Sequence, residues 1–315
     1  MTIAPGTVST NDKGDHVMTD HAEPTPLWLR IAQFPPIRLF LLGYPLFYCI
    51  GFSNAFQDLT KGIHVASAFA VAGMIALAMW IYVGFGRLIE RREISDLAFS
   101  PGLKELGIGM VVGAGLYTAG VLVLIVLGYG RIEGMNPVVV MIPALYQACS
   151  AGFLEELLFR GALYRIVEEW LGSWISVIVS SVVFGAVHLT NPDATLTGAI
   201  FISIEAGLLL AAAYMLTRRL WLGIGFHVAW NYTQSAVFGG VVSGSIAQPG
   251  LFKTVFTGPD LMTGGGFGLE ASLIPCLLAT STGAYLAWKA VRAGHVVAPF
   301  WSNPAPARLA PLGSA

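Results

Sequence analysis

Long apolar runs, each about the length of a membrane-spanning helix, dominate the chain. A helix that crosses the ~30 Å hydrocarbon core of a bilayer needs about 20 apolar residues, so stretches without Asp, Glu, Lys or Arg are candidate spans. Eight stretches qualify: Leu39–Gln57, Gly62–Gly86, Leu106–Gly130, Pro137–Leu154 (which continues into a charged extension), Trp170–Pro192, Ala194–Thr217, Leu220–Gly239 and Ala271–Trp288. The pattern predicts an all-α fold, a polytopic membrane helix bundle of about eight transmembrane helices.

The two ends of the chain have a different composition from the apolar runs. Both are rich in polar residues, Pro and small residues, a composition that cannot bury a core. We therefore expect a disordered N-terminal tail at 1–36, a membrane domain at 37–292 and a disordered C-terminal tail at 293–315. The Gly-rich segment Thr254–Glu270 is expected to be an outer loop that can re-enter the membrane.

Composition and charge agree with a membrane protein. Charged residues make up 11% of the 315 residues, against roughly 25% in an ordinary soluble domain, which excludes a soluble globular enzyme. The net charge of -1 gives no basic field for nucleic acid. If the spans alternate, all but Lys61, Arg131 and Lys253 of the 17 basic residues share one side with the termini. Both termini are therefore predicted to be cytoplasmic.

A few polar side chains interrupt the apolar runs, and they cluster in sequence. An ionisable residue at bilayer depth is costly and therefore marks a candidate functional site. The candidates are Glu155, Glu156 and Arg160 at the end of the fourth run, His188 in the fifth, Glu205 in the sixth, and His227 with Asn231 in the seventh.

Helical spacing predicts which of these groups meet. Glu156 and Arg160 are four residues apart and can pair on one helical face, which leaves Glu155 to face a cavity. Glu155 and His188 are equally distant from a turn near 171–172, so antiparallel helices would bring them to one level. The site is expected to open toward the cytoplasmic leaflet.

These residue types support water-dependent hydrolysis. A desolvated Glu155 beside His188 can activate water as a general base, and His227 with Asn231 can donate hydrogen bonds to an oxyanion. The alternative is a catalytic Zn²⁺ held by Glu155, His188 and His227. Spacing alone leaves both chemistries open.

Three motifs in this order resemble a known family. Glu155-Glu156-x-x-x-Arg160, Phe184-x-x-x-His188 and His227-x-x-x-Asn231 are similar to the motifs of the CPBP (Abi) intramembrane proteases. That family includes the type II CAAX prenyl endopeptidases and bacterial proteins similar to lysostaphin resistance protein A. The resemblance covers roughly Met141–Asn231.

The resemblance implies roles and a setting for the protein. It implies a protease core at about 137–240, with Glu155 as general base and His188 as its partner on the water. His227 and Asn231 would stabilise the oxyanion, and Glu156 with Arg160 would support the site. The expected partners are the lipid bilayer and a membrane protein or peptide substrate, in a bacterial cytoplasmic membrane, with no obligatory cofactor.

Two other functions use the same buried polar residues. In a proton-coupled transporter, Glu155, His188 and Glu205 would relay protons. In a non-catalytic membrane scaffold or immunity protein they would only stabilise the bundle. Glu205 itself is expected to be structural.

Overall fold

The computed structural model describes residues 9–10, 16–17 and 26–302. Within this part of the chain a short helix, Leu27–Ala32, precedes the bundle. The long helices are α1 (Pro35–Leu59), α2 (His64–Leu88), α3 (Phe99–Val126), α4 (Val138–Leu171), α5 (Ser173–Thr190), α6 (Leu196–Thr217), α7 (Trp221–Tyr232, continued by Thr233–Val237) and α8 (Leu273–Arg292). Helices α1–α6 are long and apolar enough to cross a membrane. The predicted membrane helix bundle is confirmed.

Several helices extend beyond the charge-free runs that predicted them, and α3 and α4 do so by the most. The third run was expected to begin at Leu106, but α3 begins at Phe99 and includes Glu105, which forms an ion pair with Arg219. The fourth charge-free run ends at Leu154 and was expected to continue as a charged extension to a turn near 171–172, and α4 does continue to Leu171. A charged residue that is paired with a residue of another element can lie within a helix. A charge-free run therefore locates only the apolar part of each helix.

The bundle has apolar side chains on its outside and a mostly buried helix, α7, at its centre. Phe69, Trp80 and Val126 are each more than 70% exposed, as expected where lipid rather than water surrounds a helix. By contrast, α7 is buried on nearly every face, from Gly223 to Asn231. A helix that is apolar all round belongs inside a bundle, and α7 carries two of the candidate site residues there.

Glycines allow α3 to lie directly against α7. A Cβ added at Gly109 or Gly113 would overlap backbone atoms of α7, at Leu222 and Phe226 respectively. Such backbone contact is possible only where the side chain is a hydrogen atom, which explains the small residues along the third apolar run.

The loops at one end of the bundle are folded rather than extended. Strands β1 (Gly130–Met135) and β2 (Phe252–Phe256) pair antiparallel, a feature that the apolar pattern did not predict. The loop after α7 also covers the α5–α6 turn, where Asn191 Nδ2 donates to Ser243 O at 2.7 Å. The end of the Gly-rich segment folds back into the bundle, so that Phe267 and Glu270 are buried.

Ion pairs cross-link the opposite end of the bundle. Arg165 Nη2 on α4 lies 2.8 Å from Glu90 Oε1 in the α2–α3 loop, and Arg38 Nε on α1 lies 3.4 Å from the same oxygen. Glu168 on α4 pairs with Arg218, which follows α6. These contacts define a basic end of the bundle, at which the chain also enters α1 and leaves α8.

The predicted tails lie mainly outside the described residues. The parts that are described include the helix Leu27–Ala32 and the beginning of α1. After α8, His295 Nδ1 lies 2.8 Å from Leu216 O, so this segment packs against the basic end.

Candidate active site

A buried ion pair on α4 anchors the site. Arg160 Nη1 donates to Glu156 Oε1 at 2.8 Å, and neither side chain is more than 1% exposed. Arg160 Nη2 also donates to Ala206 O on α6 at 3.3 Å, and its guanidinium lies 4.7 Å from the centroid of the Phe184 ring. The pairing predicted from the four-residue spacing is confirmed. It lies where α4 changes to π-helical winding, which is frequent at functional sites.

His227 on α7 lies between the two glutamates of α4. Its Nδ1 is 3.1 Å from Glu156 Oε1, and its Nε2 is 3.9 Å from Glu155 Oε2. Because a carboxylate can only accept, Nδ1 donates to Glu156, which fixes the orientation of the ring. The separation between Nε2 and Glu155 is too long for a direct hydrogen bond. Close approach of α7 to α4 is possible because a Cβ at Gly152 would overlap Val228.

His188 lies in the last turn of α5, beside the same aromatic ring. Its Nδ1 donates to Phe184 O at 2.7 Å, and its ring centroid is 4.8 Å from that of Phe184. The Phe184 centroid is in turn 6.1 Å from that of His227. Among the described residues, however, the histidine that comes within 4.0 Å of Glu155 is His227 and not His188. The predicted partnership of Glu155 with His188 therefore stays a prediction.

Asn231 joins two cavities. The smaller, about 20 Å³, is lined by Glu205, His227, Asn231, Ser243 and Glu270, among others, and it is large enough for about one water. The larger, about 690 Å³, contains Glu155 and Asn231 in its lining. His227 and Asn231 thus line one cavity together, as their four-residue spacing predicted, and Glu155 faces the other.

The larger cavity opens at the end of the bundle opposite the basic end. Its exposed lining residues include Asn54, Asp58 and Lys61 at the end of α1 and Pro192 after α5. The expectation that the site opens toward the side carrying the termini is therefore wrong. It followed from the short chain distance between His227 and the α6–α7 turn, and that distance does not show which end of the helices is open.

A second pair of buried acids lies on the far side of His227. Glu205 is 1% exposed and Glu270 is 3% exposed, and both line the smaller cavity. Glu270 Oε2 accepts a hydrogen bond from Ser243 Oγ at 2.9 Å. Glu270 was not predicted as a site residue, although a single acid directly before the last apolar run is a signal for one.

No group of three or more His, Cys, Asp and Glu side chains among the described residues is arranged to hold a metal ion. The donors considered for Zn²⁺, which are Glu155, His188 and His227, therefore do not fit a shared ion in this structure.

Together, the fold and the site define a multi-pass integral membrane protein with a buried polar centre made of two glutamates, two histidines, an arginine and an asparagine. A family model described as "Type II CAAX prenyl endopeptidase Rce1-like" matches residues 137–233. The chain is also 23% identical over 206 residues to "Putative membrane peptidase YdiL" of Bacillus subtilis (strain 168), which covers 61% of this chain and 80% of that protein. No solved structure matches the chain.

These matches confirm the resemblance drawn from the three motifs. The matched segment contains all seven candidate residues, from Glu155 to Asn231. At the level of the family, the matches support an intramembrane protease that acts on a protein or peptide in a bilayer.

Proposed function

We propose that the protein is an intramembrane endopeptidase in which Glu155 activates the water that hydrolyses a peptide bond. The observation that carries this proposal is the Arg160–Glu156–His227 chain of contacts, which ends 3.9 Å from Glu155. It orients an imidazole nitrogen toward a carboxylate that lines a large cavity, an arrangement suited to holding a reactive water between them.

In this mechanism each residue acts on a stated atom. Glu155 takes a proton from water as the water oxygen adds to the carbonyl carbon of the scissile bond. Asn231 Nδ2 and a protonated His227 donate hydrogen bonds to the oxyanion that forms. Glu155 then returns its proton to the leaving nitrogen as the C–N bond breaks, so that acid and free amine are produced.

Three residues have supporting roles in the proposal. Glu156 and Arg160 orient His227, and the positive charge of Arg160 compensates the negative charge of Glu156 in the buried site. His188 orients the water or the substrate carbonyl through Nε2, since its Nδ1 is engaged by Phe184 O. The proposed setting is a bacterial cytoplasmic membrane, with a membrane protein or peptide as substrate.

The proposal requires no metal ion, since the donors do not converge. We expect proteolysis to persist after exhaustive chelation and dialysis, with no stoichiometric zinc in the active protein by atomic absorption. Loss of activity on chelation that is restored by Zn²⁺ alone would contradict this part of the proposal. Glu155 would then be a metal ligand and not the general base.

The catalytic assignment is tested by replacing Glu155. A substrate is first identified by comparing membrane and secreted peptides, by mass spectrometry, between cells with and without the protein. Glu155→Gln should then lower its cleavage in proteoliposomes by about 10²–10⁴-fold, the usual contribution of a general base. Glu133→Gln is the matched control, because Glu133 is exposed in β1. This variant should cleave the substrate at the parental rate.

Two outcomes would reject the proposal. One is cleavage at the parental rate by correctly inserted Glu155→Gln. The other is proton-coupled solute flux in proteoliposomes that persists without His227 and Asn231, which would favour a transporter.

A further inference from the structure

The larger cavity leads from one face of the bundle to the candidate active site. Its volume of about 690 Å³ lies within the range of about 300–1,000 Å³ that is typical of ligand pockets. The walls come from α1, α4 and the loop at 240–248, and Glu155 and Asn231 lie in its lining. A substrate in this cavity would therefore reach the proposed catalytic groups directly.

The position of the cavity mouth gives its sidedness. The chain enters α1 at the basic end, where Arg38 pairs with Glu90, and the mouth is formed near the other end of α1, by Asn54, Asp58 and Lys61. Cytoplasmic loops carry the excess of Lys and Arg. With the basic end in the cytoplasm, the mouth faces the opposite, extracytoplasmic side.

Polar groups make up a little less than half of the lining of the cavity, and apolar groups make up the rest. Amide and hydroxyl side chains contribute from all three walls: Asn54, Gln57, Gln147, Ser150, Ser245 and Gln248. Such groups can pair with the alternating N–H and C=O groups of an extended peptide. A cavity built for an isoprenoid chain would instead need apolar walls, because burying hydroxyl and amide groups against hydrocarbon is costly.

Some of these groups are buried without any intramolecular partner. Gln57 Oε1, His64 Nδ1 and Glu155 Oε2 have no hydrogen-bond partner among the described residues, and all three residues line the cavity. Buried polar atoms in native proteins are nearly always satisfied. Three residues on three elements around the cavity therefore each carry a polar atom that the fold itself leaves unpaired.

We propose that this cavity binds an extended, polar and unprenylated peptide segment that approaches from the extracytoplasmic side of the membrane. The segment is a loop or terminus of a membrane protein, or a short exported peptide. That the bound segment is cleaved rests on the proposed function, whereas binding and sidedness do not.

Cysteine labelling tests sidedness without requiring catalysis. In a background with the three native cysteines replaced, Gln147→Cys places a thiol in the cavity wall, and Leu145→Cys places one on the same helix outside the cavity. Glu93→Cys marks the loop at the basic end. A membrane-impermeant maleimide added to intact cells should modify Gln147→Cys at least about tenfold faster than Leu145→Cys, because thiolates form only in contact with water.

Glu93→Cys should react only after the membrane is permeabilised. Labelling of Gln147→Cys only in inverted vesicles, together with labelling of Glu93→Cys in intact cells, would overturn the sidedness. The same experiment in a Glu155→Gln background should give the same pattern, so failure of the proteolytic proposal would not affect it.

Protection from labelling tests the class of ligand. A pool of short, soluble, unprenylated peptides, added at increasing concentration, should slow modification of Gln147→Cys severalfold and leave Glu93→Cys in permeabilised cells unchanged. The same pool carrying a C-terminal farnesyl-cysteine is the comparison. Protection that appears only with the farnesylated pool would overturn the proposal, since the cavity would then recognise the lipid.

Discussion

The carboxyl group of Glu205 is buried in the bundle and has no hydrogen bond to any other described residue. Both of its oxygens are buried and unpartnered, and it lies on the wall of the small cavity shared with His227 and Asn231. Burying a charge without a cation beside it is costly, so we expect a neutral side chain of the same shape to be accepted at this position.

The variants Glu205→Gln and Glu205→Ala separate shape from charge. Glu205→Gln should retain turnover within about twofold, whereas Glu205→Ala should lower the free energy of unfolding by about 1–3 kcal/mol, because it enlarges a buried cavity. Turnover in proteoliposomes and thermal unfolding in detergent measure the two effects. Loss of turnover in Glu205→Gln as large as that in Glu155→Gln would show that Glu205 must ionise, as in a proton relay.

At the scale of residues, sequence spacing predicted local pairs but not contacts between distant segments. The Glu156–Arg160 pair and the shared face of His227 and Asn231 follow from the pitch of one helix, which the sequence contains. The proximity of His227 to Glu155 depends on the position of α7 along the axis of α4. No local sequence pattern encodes that position. Glu270 reaches the site only because a Gly-rich loop folds back, so no periodicity could indicate it.

At the scale of elements, the position of His227 depends on how closely α7 packs against α3. A Cβ at Gly113 would overlap the backbone of α7 at Phe226, the residue before His227, whereas a Cβ at Gly115 would meet nothing within 4 Å. The two glycines lie on one helix and differ in the face that they occupy. They therefore form a matched pair for substitution.

Gly113→Ala should separate the two helices, and Gly115→Ala should not. Overpacking a tight contact costs about 1–3 kcal/mol, so we expect a lower unfolding midpoint for Gly113→Ala and reduced turnover, since His227 moves with α7. Gly115→Ala should be neutral or slightly stabilising, because Ala is the better helix former. Equal unfolding midpoints for the two variants would contradict this packing.

The sequence predicted the membrane-spanning helices, whose length is set by the bilayer, better than the elements whose formation depends on contacts within the protein. The apolar runs located α1–α6 because each must be long enough to cross a bilayer. They did not predict β1 and β2, whose pairing joins segments more than 100 residues apart and whose side chains are only partly buried. The charge-free run alone ends at Leu154, but the predicted charged extension of α4 is present, and its charges are paired with residues of other elements.

At the scale of the whole molecule, the basic end is held together through one buried acid. The side chain of Glu90 is 2% exposed and receives contacts from Arg38 on α1, Arg92 in its own loop and Arg165 on α4. Burial alone raises the pKa of Glu90, but the charge and hydrogen bonds of Arg165, the hydrogen bond from Arg92 and the charge of Arg38 outweigh it, so that the pKa is lowered.

This shift predicts how stability changes with pH. A carboxyl group whose pKa is lower in the folded than in the unfolded state stabilises the fold above its unfolded pKa, about 4.3 for Glu. That contribution disappears as the pH falls through the folded pKa, because the folded state then takes up the same proton. The basic end should therefore loosen in acid.

Comparison of Glu90→Gln with the parent in detergent isolates this contribution. At pH 7 the variant should be less stable by about 3 kcal/mol, because breaking a buried ion pair leaves its partners uncompensated. The difference should shrink as the pH falls below about 4, where Glu90 itself becomes neutral in the parent. Glu93→Gln changes an exposed neighbour in the same loop and should differ little from the parent at either pH.

A difference in stability between Glu90→Gln and the parent that is the same at both pH values would contradict this prediction. It would show that the shape of Glu90, and not its charge, joins α1, α2 and α4. The basic end would then be held by packing, and the cavity at the far end would be formed by helices whose association does not depend on pH.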